Sequence, residues 1–252
     1  MTTSDDWKRL AGFWRNVLEL PAHDFDRLST SLSAGLAELL GGAGAVVLLA
    51  ARLGDRDDAL QGWQLRHSLV TIDVSADEVQ AYGMAARHFA DAYAAAFIAG
   101  AGTERALLRS DAVTAEQWAA CGTRRFLDSL GIVDHVAAAR PIADGVELVI
   151  SVHRTAPPAF TRDDADLLLE AIKGLGVVAT RLARSFGLPG PQALSPRERQ
   201  TLSKLLQGRS EAEVAHELSL SPRTVHDYVE SLHRKLAVRS RGELLALWLG
   251  GA

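Results

Sequence analysis

Between residues 221 and 236 the chain carries Arg223, Asp227, Glu230 and Arg234 at intervals of three and four. An α-helix advances about 100° per residue, so this spacing gathers the four charges on one side. Val225, Tyr228, Val229, Leu232 and Leu236 gather on the other, and His226 and Ser231 flank the charged face. Such a face can read a polar polymer. Arginine suits guanine edges and phosphates, a carboxylate can accept from the cytosine amino group, and a helix N-terminus offers free N–H groups to a phosphate. Ser221, Arg223 and Thr224 stand at that N-terminus; His226, Asp227, Glu230, Arg234 and Lys235 follow. Arg223–Asp227 and Glu230–Arg234 are i,i+4 pairs, in which each carboxylate would hold its arginine in a reading pose. Lys235 has two equal uses, a phosphate contact or a pair with Glu198 inside the domain.

The elements that must position this face are marked by their caps. Ser195-Pro196-Arg197-Glu198, Ser210-Glu211-Ala212-Glu213 and Ser240-Arg241-Gly242-Glu243 are capping boxes, and Ser221-Pro222 is a cap with proline at the first helical position. Four short helices follow, at about 196–207, 211–218, 222–236 and 241–249. The middle pair, joined by a turn at 219–221, forms a helix-turn-helix whose second helix fits the major groove.

The stretch LSPRERQTLSKLLQGRSEAEVAHELSLSPRTVHDYVESLHRKLAVRSRGELLALWL closely resembles the LuxR-type C-terminal DNA-binding domain over nearly all of 194–249. The shared residues are Ser195-Pro196-Arg197-Glu198-Arg199, Glu213-Val214-Ala215 with Leu218, Ser221 with Thr224-Val225, and Arg234-Lys235-Leu236 with Val238 and Ser240. The resemblance implies a third helix that reads double-stranded DNA and a fourth that supports dimerisation. It also shows departures: His226 and Tyr228 replace the family's usual lysine and histidine, and Asp227 and Glu230 put carboxylates on the DNA face. Two rival readings follow, a sigma-region-4-like promoter-binding unit within RNA polymerase and a helix-turn-helix interaction scaffold that no longer binds DNA.

The rest of the chain is more acidic. Of the 252 residues, 1–192 carry 18 Lys+Arg and 24 Asp+Glu, whereas 193–252 carry 9 and 7, so the mildly basic balance belongs to the last segment. Two glycines and two prolines in 187–194 read as a linker. The expected division is therefore 1–186, linker 187–194 and 195–252. With 48% hydrophobic and 23% charged residues the chain is globular in type, and the single cysteine, Cys121, excludes an intramolecular disulfide framework. No export signal or membrane span is read, which gives a cytoplasmic expectation.

In the first segment helices are expected at 5–19, 24–40, 77–97, 115–129 and 162–186, with strands at 45–53, 63–74, 133–143 and 146–153. The last two form a hairpin about Asp144-Gly145. The class is α+β, an antiparallel sheet flanked by helices, followed by the all-α four-helix C-terminal helix-turn-helix domain. Arg105–Val113, Phe126-Leu127 and the run from Phe160 to Asp166 resemble a GAF-like sensory domain, which implies a small-molecule pocket. Its candidate residues are Trp63, His67, Tyr82, Cys121, His135, Arg140 and His153. None of the four lysines is followed by Ser or Thr, so no phosphate-binding P-loop is present. No cofactor, metal set or catalytic constellation is read. The sequence points to a homodimeric, non-enzymatic regulator of transcription with double-stranded DNA, a small-molecule effector and RNA polymerase as its partners.

Overall fold

The computed structural model describes residues 3–54, 57, 60–70, 92–190 and 192–249. The chain forms two compact units, Met1–Glu19 with Ser29–Gly176, and Leu20–Leu28 with Val177–Ala252. This division differs from the expected boundary at 187 in two ways. The expected helix over 162–186 is two helices, α7 (Arg162–Lys173) and α8 (Gly176–Ser185), and the units part where they meet. Gly174 is the C-cap of α7, and the Trp14 ring occupies the space that a side chain there would need; the ring's Nε1 donates to the Ala171 carbonyl at 2.9 Å. The second difference is the short segment Leu20–Leu28, which groups with the C-terminal helices.

The first unit is built on one five-stranded sheet, β1 (Gly44–Arg52), β2 (Trp63–Val70), β3 (Arg105–Leu108), β4 (Asp134–Ala143) and β5 (Val146–Arg154), in the order β2-β1-β5-β4-β3. Every neighbouring pair is antiparallel. The β4–β5 hairpin turns at Gly145, whose φ of +66° is where a glycine costs no steric strain.

Strand alternation gives the sheet two unlike faces. One carries Ala45, Val47, Leu49, Leu148, Ile150 and Val152, each at most 1% exposed. Arg140, on this same face, donates to the Ile172 and Lys173 carbonyls at the end of α7. Leu10 and Phe13 of α1 (Ser4–Leu18) and Leu32 and Leu36 of α2 (Phe25–Leu40) are buried in the same unit. The other face carries His135 and His153, directly opposite each other in the β4–β5 register. Tyr93 of α3 (Ala92–Ala99) and Trp118 of α5 (Ala115–Ala120) pack on His135, with ring centroids 4.9 and 5.7 Å away.

The helix expected over 115–129 is broken. Cys121, buried and in extended backbone, separates α5 from α6 (Gly122–Ser129), while α4 (Arg109–Ala112) is a single turn after β3. Of the expected 77–97 helix and 63–74 strand, the residues 71–91 lie outside the described ones.

The second unit holds α8, α9 (Pro196–Leu206), α10 (Glu211–Leu218), α11 (Pro222–Lys235) and α12 (Arg241–Leu249), and the first turn of α2. Its core joins Leu202 and Leu205 of α9, Val214 and Ala215 of α10, Val225, Val229 and Leu232 of α11, and Leu244 and Trp248 of α12. Phe25 closes it, with its ring 5.5 Å from that of Trp248. Trp248 Nε1 donates to the Ala22 carbonyl at 3.2 Å, Ser203 Oγ to that of His23 at 2.7 Å, and Arg199 meets Asp26 at 3.1 Å. Arg181 of α8 donates to the Trp248 carbonyl at 3.1 Å, satisfying one of the carbonyls that a helix end leaves open.

Candidate functional site

The α10–α11 turn is shaped by two caps. Ser219 ends α10 with φ 54°, a left-handed conformation that polar residues tolerate at a helix C-terminus, and Leu220 N donates back to Ala215 at 2.9 Å. Ser221 then opens α11. Its hydroxyl accepts from Thr224 N at 3.0 Å and shares a 2.7 Å hydrogen bond with the Thr224 hydroxyl. Pro222 sits at the first helical position, where its missing N–H costs nothing.

With Val225, Val229 and Leu232 turned into the core, α11 presents Arg223, His226, Asp227, Glu230 and Arg234 to solvent. All five sequence-predicted residues of this face are therefore exposed together beside the N-terminal hydroxyls of Ser221 and Thr224. Their pairing differs from the expectation. Among the described residues no ion pair joins Arg223 to Asp227 or Glu230 to Arg234. Instead His226 stands between two carboxylates, Nδ1 3.1 Å from Glu211 and Nε2 3.7 Å from Glu230. A neutral imidazole can donate to only one of them, a protonated one to both. His226 lies one helical turn before Glu230 and takes the place expected for Arg234, which donates to Ser231 Oγ at 3.0 Å.

Lys235 lies off this face. Its ammonium is 2.7 Å from Glu198 Oε2 and donates to the Ala193 carbonyl at 2.9 Å, so of its two expected uses the structure realises the pair inside the domain. Glu198, only 4% exposed, is the hub of the second unit. It also accepts from Ser195 N at 2.6 Å, completing the α9 capping box, and from Ser231 Oγ at 2.6 Å. Burial alone would push its carboxyl pKa up. The hydrogen bonds from Lys235, Ser231 and Ser195 outweigh that and hold it down at about 2. The start of α9 is thereby tied to the last turns of α11.

Glu211 was missed as part of this surface. It lies 15 residues before His226, and only the helix-turn-helix crossing brings them together. The signal was present in the motif, because that motif sets the first turn of its first helix beside its second.

The residues expected to line a pocket in the first unit do not converge as a set. His135 and His153 do, 6.1 Å between ring centroids. Arg140 is corrected: it faces the other side of the sheet and caps α7. Trp63 is corrected too, for it pairs in register with Arg52 at the far end of β1 from the histidines and stacks under the Arg52 guanidinium at 4.9 Å. Tyr82 and the side chain of His67 lie outside the described residues. Tyr93, Trp118 and Arg109, which sequence reasoning passed over, join the histidines; the Arg109 guanidinium lies 5.4 Å from the Trp118 ring centre and 3.6 Å from Asp134. Cys121 is buried beside Tyr93. Burial, and then the charge of Arg109, pushes the His135 pKa down to about 4; burial, and then His135, pushes that of His153 down to about 3. Both imidazoles are neutral at physiological pH.

Four helices with a capped turn between the second and third define the second unit as a helix-turn-helix domain. Residues 192–248 match the family described as bacterial regulatory proteins, luxR family, so this part of the chain is a LuxR-family helix-turn-helix domain. It is 45% identical over 58 residues to the probable HTH-type transcriptional regulator GfsR of Streptomyces halstedii, which covers 23% of this chain and 24% of GfsR. The chain is 35% identical over 86 residues to the probable transcriptional regulatory protein NarL of Mycobacterium tuberculosis, covering 31% of this chain and 40% of NarL. The chain thus spans a quarter to two fifths of these relatives. Among solved structures, that of SdiA in complex with octanoyl-rac-glycerol aligns over 98% of this chain and 96% of its own, at 12% identity and a TM-score of 0.49. No described helix is long and apolar enough to cross a membrane.

Proposed function

We propose that the protein is a cytoplasmic regulator of transcription that binds double-stranded DNA through α11, as a homodimer on a pseudo-palindromic operator. Its first unit senses an effector and so sets DNA affinity. The observation that carries the DNA reading is the solvent-facing set of Arg223, His226, Asp227, Glu230 and Arg234 on a helix whose other side is packed into the core by Val225, Val229 and Leu232. Arg223 makes no ion pair among the described residues, so its guanidinium is available for a base edge or a phosphate without first breaking a bond. The similarity to GfsR and NarL, both probable transcriptional regulators, supports the same reading.

A second reading is favoured by one observation. The two arginines of the face are balanced by Asp227 and Glu230, and Glu211 adds a third carboxylate. Such a surface could serve a protein partner, RNA polymerase included, instead of DNA. A mobility-shift titration across salt decides between them. Binding through phosphates weakens linearly in log–log form as salt rises, and Arg223→Ala lowers operator affinity by about 1–3 kcal/mol if it reads a base. Absence of any operator complex from low to physiological salt, with a genomic-fragment library as the DNA, would leave only the scaffold reading.

A further inference from the structure

The histidine-bearing face of the sheet is built unlike its opposite. In a five-stranded sheet covered on both sides, residues of the central strands should be sealed. On the α7 side they are. On the histidine side Leu48 and Ala50 of β1 and Val149 and Ser151 of β5 stay partly exposed in mid-strand, and their β4 neighbours are the small Ala137 and Ala139. Among the described residues an apolar cleft therefore runs along the middle of this face. At its end the polar groups are left over rather than matched. His135 is 3% exposed and His153 5%, yet both ring nitrogens of His135 and Nδ1 of His153 have no hydrogen-bond partner among the described residues. Only Nε2 of His153 is engaged, 2.9 Å from Ser151 Oγ at the cleft floor. Buried polar atoms are almost always paired in native proteins, and three orphans within one residue pair call for a ligand.

The charges nearby are already spent. Arg109 lies 3.6 Å from Asp134, although its Nε–H has no hydrogen-bond partner among the described residues, and Arg105 clamps Glu147 through two 2.9 Å bonds. What the cleft offers is a neutral imidazole pair with N–H donor and nitrogen acceptor capacity. A carboxylate or phosphate entering here would lose its hydration and would meet Arg109 only beside the like charge of Asp134.

We propose that this face is a binding site for an uncharged, mainly apolar small molecule, whose hydroxyl or amide head hydrogen-bonds the imidazoles of His135 and His153 while its body lies along the small side chains of β4 and β5. The proposal rests on the reading of the first unit as an effector sensor and names the class of effector.

The test uses the full chain and four probes that share one apolar body: cinnamyl alcohol, cinnamamide, cinnamate and propenylbenzene. Binding is followed through the NMR signals of isotope-labelled histidine side chains. The alcohol and the amide should bind about tenfold tighter than the hydrocarbon and the carboxylate, the value of one well-placed buried hydrogen bond, and should shift the His135 and His153 resonances. His135→Phe, which keeps the aromatic packing, should abolish that preference while still binding the hydrocarbon, and His135→Gln, which restores a donor and an acceptor, should recover part of it. Equal binding of all four probes, preference for cinnamate, absence of saturable binding, or a preference that survives His135→Phe would each overturn the proposal. Operator affinity measured with and without the bound alcohol separates the two readings. Head-group-selective binding that leaves DNA affinity unchanged would refute sensing and leave the site standing.

Discussion

Removing the carboxylate of Glu198 should loosen the recognition helix by a predictable amount. Glu198 is buried and its charged form is held by three hydrogen bonds, so its pKa lies near 2 rather than the ordinary 4.5. At about 1.36 kcal/mol per pH unit, that depression corresponds to about 3 kcal/mol of stability at neutral pH. The native state binds fewer protons than the unfolded chain over this range. The contribution is therefore complete above about pH 4.5 and disappears as the pH falls through 2. Glu198→Gln keeps acceptor and donor atoms near Ser195 and Ser231 but leaves the Lys235 ammonium, 14% exposed, with the Ala193 carbonyl alone. Removing one member of a buried pair typically costs about 3–5 kcal/mol, which agrees with the value from the pKa. Hydrogen exchange of the full chain at pH 7 reads this locally. Amides of 196–206 and 222–235 should open with about 3 kcal/mol less free energy, exchanging about a hundredfold faster, while those of β5 in the other unit keep their wild-type rates. Lowering the pH from 4.5 towards 2 should close the gap between variant and wild type. A change under about threefold at neutral pH, or a gap undiminished in acid, would refute the assignment of Glu198 as the hub that fixes α11.

Two further perturbations address the clasp and the reading face. Phe25→Ala, which empties a buried aromatic site against Trp248, should destabilise α12 by about 3–5 kcal/mol, seen as faster exchange of 241–249; unchanged protection there would mean the first turn of α2 is an idle neighbour of that core. Glu230→Ala frees His226 from one of its two carboxylates and should re-rank a panel of operators differing at single base pairs, by about 1–3 kcal/mol at the base read; a uniform rise in affinity for every duplex would show that Glu230 acts by repulsion alone.

The second unit was legible because its signals are local. Capping boxes at Ser195 and Ser210 and the Ser221-Pro222 cap fix helix starts within a residue, and the 3.6-residue period of Val225, Val229 and Leu232 decides which side of α11 faces outward. What local spacing could not decide was how charged side chains choose among several partners within reach. The i,i+4 rule nominates Asp227 for Arg223 and Arg234 for Glu230, but each such pair is worth only about 0.2–0.5 kcal/mol. A neighbouring helix is enough to redirect it, as Glu211 does by drawing His226 to the place between the carboxylates. Lys235 went the other way for the same reason: the buried, charged carboxylate of Glu198 holds it more strongly than a solvent-facing pose would.

The first unit was legible as strands and as a hairpin but not as a site, because sheet faces are assigned by parity and parity needs the register. Arg140 and His135 are five residues apart on one strand, an odd number, so they must point to opposite faces, and no pocket can hold both. That arithmetic was available from the sequence once 133–143 was read as one strand. The place of Trp63 was not available, since it depends on β2 pairing with β1 at Arg52, eight residues along from the position opposite His153. At about 3.3 Å per residue this sets the tryptophan roughly 26 Å from the histidines. The break at Gly174 was equally hidden. Leu168, Leu169, Ile172, Leu175, Val178 and Leu182 keep helical spacing straight through it, and the Trp14 ring, arriving from 160 residues away, is what leaves no room for a side chain at 174. The periodicity therefore reports that both helices bury one stripe, and says nothing about their belonging to different units.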